Sequence, residues 1–511
     1  MRMNAVKGGG ARARFACLLA LPRPFALTAR ASRPRVTANS PFTSSKAWLS
    51  SFSSSSPQPP PSQKEHENDY SGRSTARTQV TTALWEKRVQ AQRLQLEKFV
   101  EELTGSEGAS SGAPAAAGKS AVQEDLEAKI NSEAPSFLLD KTPAESAVEL
   151  YLPFSTDQNL REQYVNFYGN LRFGKILEDL DAAAGNVAHA HADDNNPVTR
   201  PLTIVTASVD RIDLLDKLLP DRDMRMKGCV TYVGSSSMEV RVDVESKDPD
   251  TGRFYPLILA TFTMVATFEG RPAPVNRLNP QTEQEKLLYA LGQDNKQWRK
   301  QWAKEALHVQ PPTLEEQQLI HQFFTDKKWE VVRQAQAQGQ NGGGARGMDG
   351  AGEEVVEMKD AKLQSVMLCQ PQDRNTNDKI FGGYLMQKSF ELAWTNAHVY
   401  CRSRPWFLAL DHVAFHRPVS IGSIVSFNSS IVYTEQRSLG VKVTAEVVNP
   451  KDGSKQRTNT MHYTFTCPES SIPHVLPVTY QEAMDWVEGR RRYLRGKETA
   501  TRLGSNLLRF Y

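Results

Sequence analysis

The stretch from Lys175 to Ala188 reads KILEDLDAAAGNVA and carries three carboxylates in a segment patterned as a helix. Set at about 100° per residue, Phe173, Leu177, Leu180 and Ala184 share one apolar stripe, with Asp179 on the far side and Asp181 on the stripe's edge. An acid at the rim of a buried face costs free energy unless it is hydrogen-bonded or used. Periodicity alone leaves open whether Asp181 is held by a hydrogen bond or does chemistry as a base or a nucleophile, and LEDLD by itself also fits a solvated acidic face. HAHADD supplies His189, His191, Asp193 and Asp194, but no second ligand group at a recognised spacing accompanies them, so a polar loop is the simpler reading. His398 near Cys401 reads as packing, and no G-x-S-x-G marks a serine nucleophile.

The elements that must position such groups occur twice. YVGSSSMEVRV at 232–242 aligns with YTEQRSLGVKV at 433–443, an offset of 201, and NFYGNLRFGKILEDLD at 166–181 aligns with NTNDKIFGGYLMQKSF at 375–390, an offset of 209. Asn166 pairs with Asn375, and Gly174 with Gly383. Each copy predicts a short strand, an Asn-containing loop, a helix begun at Gly, and four runs rich in Val, Ile, Thr and Phe. One helix against a curved antiparallel sheet is an α+β unit, and two copies can pair their sheets side by side.

At 511 residues the chain holds two or three domains. Residues 1–64 contain seven Arg, three Lys and no acid, the composition of a mitochondrial transit peptide. Without them 52 basic face 58 acidic residues, so charge gives no reason to expect a nucleic-acid partner. No apolar run approaches the roughly 20 residues of a membrane span. The five cysteines form no CxxC and no disulfide framework. Ser- and Pro-rich 44–64 predicts disorder, as does Gly- and Gln-rich 335–354. The resulting division is leader 1–64, helical and low-complexity linker 65–145, first unit 146–270, helical connection 271–360, second unit 361–470, and C-terminal helix 471–511.

The order of these elements, with IVTASVD, SSSMEV and NDKIFGGYLM, resembles the tandem hot-dog acyl-coenzyme A thioesterases, and the leader points to their mitochondrial type 9 group. The resemblance covers about 146–268 and 361–467. It implies an α+β double hot-dog, each sheet wrapped around a central helix, with two composite sites between the halves. In that family a site takes an Asn and a helix N-terminus from one half and an acid from the other half's helix. Carried over, Asp181, Asn375 and Gly383 form the catalytic site, with the Gly383 N–H polarising a thioester carbonyl. Asn166, Gly174 and Phe390 form a vestigial second site, because Phe390 stands where the acid would be. Glu391 is a solvated neighbour, not a substitute.

The same resemblance implies coenzyme A contacts at Thr206, Ala207, Ser208, Ser235, Ser236, Ser237, Arg437 and Ser438. Acyl-coenzyme A is then the substrate, hydrolysed to a free acid and coenzyme A in the mitochondrial matrix, with no cofactor or metal and with assembly into a homo-oligomer. Two alternatives stay open at this point: a hot-dog enoyl-coenzyme A hydratase, and a non-catalytic acyl-coenzyme A binding or assembly protein.

Overall fold

The computed structural model describes residues 138–194, 202–326, 329, 346–348, 354–375 and 379–510. The leader and the linker up to residue 137 lie outside the described residues, as does most of the Gly-rich break. Pairing starts ahead of the expected Ser146 boundary, with Asp140–Lys141 running parallel to Arg277–Leu278.

The period-two runs form the strands. The first half contributes β1 (Val148–Leu152), β2 (Thr203–Leu214), β3 (Met224–Val233), β4 (Ser237–Lys247) and β5 (Phe254–Phe268). The second contributes β6 (Lys362–Leu368), β7 (Trp406–Phe415), β8 (Ile424–Glu435), β9 (Ser438–Val448) and β10 (Lys455–Thr466). Along one continuous sheet they run β6-β8-β9-β10-β7-β2-β5-β4-β3-β1. The halves join where β7 and β2 pair antiparallel, with Leu410 opposite Ile212 and Asp411 opposite Arg211. This seam builds one sheet from two hot-dog units and leaves no open edge between them.

The helices are α1 (Gln158–Tyr164), α2 (Phe173–Ala192), α3 (Glu283–Glu305), α4 (Leu314–Thr325), α5 (Gly382–Cys401) and α6 (Tyr480–Phe510). The two central helices, α2 and α5, pack on each other inside the curved sheet. Fifteen of the 20 residues of α2 are buried, so a one-stripe reading undercounts its contacts: the sheet covers one side and α5 another. Asp179, expected to face outward, is fully buried and accepts a hydrogen bond from Tyr164 Oη at 2.5 Å. His189–Ala192 of HAHADD form the last turn of α2 rather than a loop, with Asp193 as its C-cap and Asp194 beyond it, and buried His191 Nε2 donates to Asn276 O at 3.0 Å. His398 Nδ1 donates to Ser403 O at 2.8 Å, and its ring stacks on Trp394.

α3 and α6 extend the repeat beyond the matched segments. Each starts with a Thr whose hydroxyl accepts an N–H three residues on: Thr282 from Glu285, Thr479 from Glu482. Each then lays a glycine on the repeat's matched tyrosine. A Cβ at Gly292 would collide with Tyr232, and one at Gly489 would lie 2.9 Å from Tyr433 Cβ. Both helices reach charged groups on the sheet: Arg299 of α3 pairs with Asp210 of β2 and Glu239 of β4. On the other side Arg211 binds Asp213 through Nε at 2.8 Å and Asp411 through a terminal nitrogen at 2.5 Å, with Gly496 of α6 lying over it.

Candidate active site

α5 begins at Gly382 with Phe381 as its N-cap, and no side chain of its own loop caps it. The cap comes from the other half. Asp181 Oδ2, projecting from α2, accepts the Gly383 N–H at 2.7 Å. Its Oδ1 accepts the Thr206 hydroxyl of β2 at 2.9 Å. An anion at the positive end of a helix is favourable, yet this one is 1% exposed. Burial dominates and pushes the carboxyl up to about 6, against the pull of the Thr206 hydroxyl and the Gly383 N–H.

Thr206 reaches Asp181 because β2 is irregular there. The register against β5 shifts between Thr206 and Ser208, leaving Ala207 as the extra residue, and such a bulge redirects the neighbouring side chain. Sequence reasoning placed Thr206 with coenzyme A; in the structure its hydroxyl donates to the Asp181 carboxylate. No pattern in TASVD alone distinguishes a bulge from continuous alternation.

Glycine at the helix tip is required by the close approach of α2. A Cβ at Gly383 would sit 2.9 Å from the backbone Cα of Glu178 and 3.1 Å from Asp181 Cβ. Gly383→Ala is therefore expected to push α5 away from α2, costing about 1–3 kcal/mol by overpacking and lengthening the Asp181 contact. A urea midpoint together with an activity assay measures both effects; a variant unchanged in each would contradict the close approach.

Asn375 stands on the loop that launches α5. Its Oδ1 accepts the Lys379 N–H at 3.1 Å, and its own N–H donates to Lys379 O at 2.6 Å. The loop is tied to the helix by Phe381 N–H donating to Asp373 O at 3.0 Å. Asp181, Thr206 and Gly383 thus meet directly, while the carbonyl end of Asn375 shapes the adjoining loop.

The equivalent place across the interface has changed character. Asn166 Oδ1 accepts the N–H groups of Tyr168 and Asn170 at 2.9 and 3.1 Å, as Asn375 does in its own loop. Gly174, second residue of α2, faces Gln387 Cγ at 3.1 Å and Phe390 Cδ1 at 3.6 Å from its would-be Cβ. Phe390 stands at the position matching Asp181 and Phe407 at the one matching Thr206, their rings 5.4 Å apart. Where one side of the interface carries a polar pair, the other carries an aromatic one. Glu391 is half-exposed and bound to Arg172 at 2.7 Å.

The residues expected to meet coenzyme A lie on turns and strand ends. The carbonyls of Ser235 and Ser236 accept the N–H groups of Val275 and Ala266 at 3.2 and 2.9 Å. Ser237 opens β4. Ser208 is buried and donates to Asp210 at 3.2 Å. Arg437 is exposed in the matching turn of the second half, where its carbonyl accepts the Cys467 N–H at 2.8 Å and Ser438 opens β9.

Comparison with known proteins gives consistent matches. The family model described as the Thioesterase superfamily matches residues 168–252. Acyl-coenzyme A thioesterase 9, mitochondrial, of Homo sapiens is 35% identical over 355 residues, covering 68% of this chain and 77% of the relative. Acyl-coenzyme A thioesterase 2, chloroplastic, of Humulus lupulus is 35% identical over 370 residues, covering 68% and 80%. Among solved structures, an acyl-CoA hydrolase of Staphylococcus aureus in complex with butyryl coenzyme A, coenzyme A and coenzyme A disulfide is 23% identical. It covers 31% of this chain and 98% of its own, with a TM-score of 0.29.

Proposed function

This chain belongs to the acyl-coenzyme A thioesterase family, and on that premise we propose that Asp181, Thr206, Asn375 and the tip of α5 hydrolyse the thioester. The observation that carries the reading is a buried carboxylate from one half fixed onto a helix N-terminus of the other.

In this reading Asp181 acts as general base. Ionised above about pH 6, it takes a proton from water as the water oxygen bonds to the thioester carbon. Collapse of the adduct breaks the carbon–sulfur bond, and the proton passes from Asp181 to the departing coenzyme A sulfur. Both Asp181 oxygens are already held by donors, which favours a base over an attacking nucleophile that must leave them. Because the Gly383 N–H is engaged by Asp181, the Gly382 N–H one residue earlier and the helix dipole are assigned to the carbonyl oxygen. The Asn375 side-chain NH₂ orients the water. The exposed turn at Arg437 offers a cation to coenzyme A phosphate.

The substrate class is acyl-coenzyme A, no cofactor takes part, and the Arg-rich leader directs the protein to the mitochondrial matrix. Further assembly is part of the same proposal, since Leu287, Leu291 and Trp298 of α3 are large apolar side chains left exposed. A hydratase would pair an acid with a histidine, whereas Asp181 is held by a hydroxyl and an amide N–H.

Incubation with a series of acyl-coenzyme A esters and a thiol reagent tests the reading. Thiol release is expected, with kcat/KM falling about tenfold per pH unit below a limb near pH 6, because only the ionised base works. Ligand binding without thiol release would favour a sensor. A rate flat through pH 5 would remove Asp181 as the base.

A further inference from the structure

The altered side of the interface keeps a cavity of about 480 Å³, within the roughly 300–1,000 Å³ of small-molecule sites. Its floor is apolar: Phe173, Phe390 and Phe407, ring centroids 4.2–5.4 Å apart, with Leu214 and Leu218. A thioester cannot be held there as on the other side. Gly174 at the tip of α2 lines this cavity beside Phe390, and neither an acid nor a hydroxyl stands where Asp181 and Thr206 stand on the other side.

The mouth is cationic. Arg404 lies 4.6 Å from the ring centroids of both Tyr168 and Trp406, and Lys217 Nζ lies 5.4 Å from Trp406. Neither has a carboxylate partner among the described residues, so aromatic faces alone balance their charge there. The acid in the cavity wall, Glu391, is already neutralised by Arg172 and Lys388. Phe167, tilted against Tyr168 with ring centroids 4.0 Å apart, is 81% exposed, leaving an aromatic ledge open at the mouth.

We propose that this second cavity binds an acyl chain ending in a free carboxylate, without cleaving it. The apolar floor takes the chain, and Arg404 with Lys217 takes the head. This assignment stands on the cavity alone and not on the hydrolytic reading of Asp181.

Equilibrium dialysis of dodecanoate, kept below its micelle concentration, against the full chain tests it. A binding component is expected in the wild type and in Asp181→Asn. It should weaken about tenfold in Lys217→Gln/Arg404→Gln, with a urea midpoint checking that the variant keeps its fold, and dodecanol should bind far less well than dodecanoate. Equal affinity in the double variant, or equal affinity for dodecanol, would overturn the assignment of the head group. Displacement by dodecanoyl-coenzyme A with the same dependence on Arg404 and Lys217 would show that the thioester, not the free acid, is the ligand.

Discussion

Asp181→Asn is expected to lower kcat by about 10²- to 10⁴-fold, the usual contribution of a positioned general base, with KM and stability little changed. The amide can keep both contacts. Its Oδ1 accepts the Gly383 N–H, and its NH₂ turns to the Thr206 hydroxyl, which accepts as readily as it donates. What it cannot do is take a proton from water. Asp181→Ala differs in one informative way: it also removes the cap of α5, costing about 1 kcal/mol. Thiol release and a urea midpoint separate the two roles, and an asparagine variant turning over at half the wild-type rate or better would leave Asp181 a structural cap.

Arg211→Met is expected to destabilise the protein by about 3 kcal/mol, the low end of the cost of breaking a buried ion pair. The guanidinium bridges the halves, bound to Asp213 on its own strand and to Asp411 across the seam. Burial works against the Arg211 charge, but Asp411 and Asp213 outweigh it and hold its pKa up. Burial likewise pushes Asp411 up, against the pull of Arg211 and then Arg492. Removing Arg211 leaves Asp213 without its bidentate partner, while Arg492 and Arg495 still attend Asp411, which sets the value at the low end. Replacing Asp411 by Leu in the same chain should restore part of the loss, because an apolar pair across the seam leaves one fewer buried charge unmet. Urea midpoints of the single and double variants measure this. A single variant within about 0.5 kcal/mol of wild type would mean that solvent reaches the seam and screens the pair.

Much of the fold is legible in the residues. The four Val- and Thr-rich runs of each half become strands because alternation at period two matches the pleat. The repeated Asn loop and Gly-initiated helix become equivalent entrances to α2 and α5. Phe390 at the position matching Asp181 is visible in the sequence alignment of the two halves, and in the structure it packs on Phe173 and Phe407. The homology of α3 and α6 is less legible, since they share only a threonine cap and a glycine.

The candidate site is less legible than the fold, for physical reasons. Helical periodicity describes a helix with one buried face, and α2 has neighbours on several, so it misplaces Asp179 at the surface. A bulge is a departure from alternation that depends on the partner strand, so Thr206 could not be assigned to Asp181 from TASVD. The partner of the Gly383 N–H is similarly a matter of how closely two helices pack.

By itself, the sequence determined the two matched units, their strands and helices, and Asp181 as an acid out of keeping with its surroundings. These follow from local periodicity, which each short segment carries in full. Tertiary structure alone decided that Asp181 caps the opposite half's helix, that Thr206 turns to it, and that burial moves its titration toward neutrality. The Gly383 contact joins groups 202 residues apart in the chain and the Thr206 contact groups 25 apart across a bulge, and neither the contacts nor the exclusion of water exist until helix, strand and opposite half have packed together.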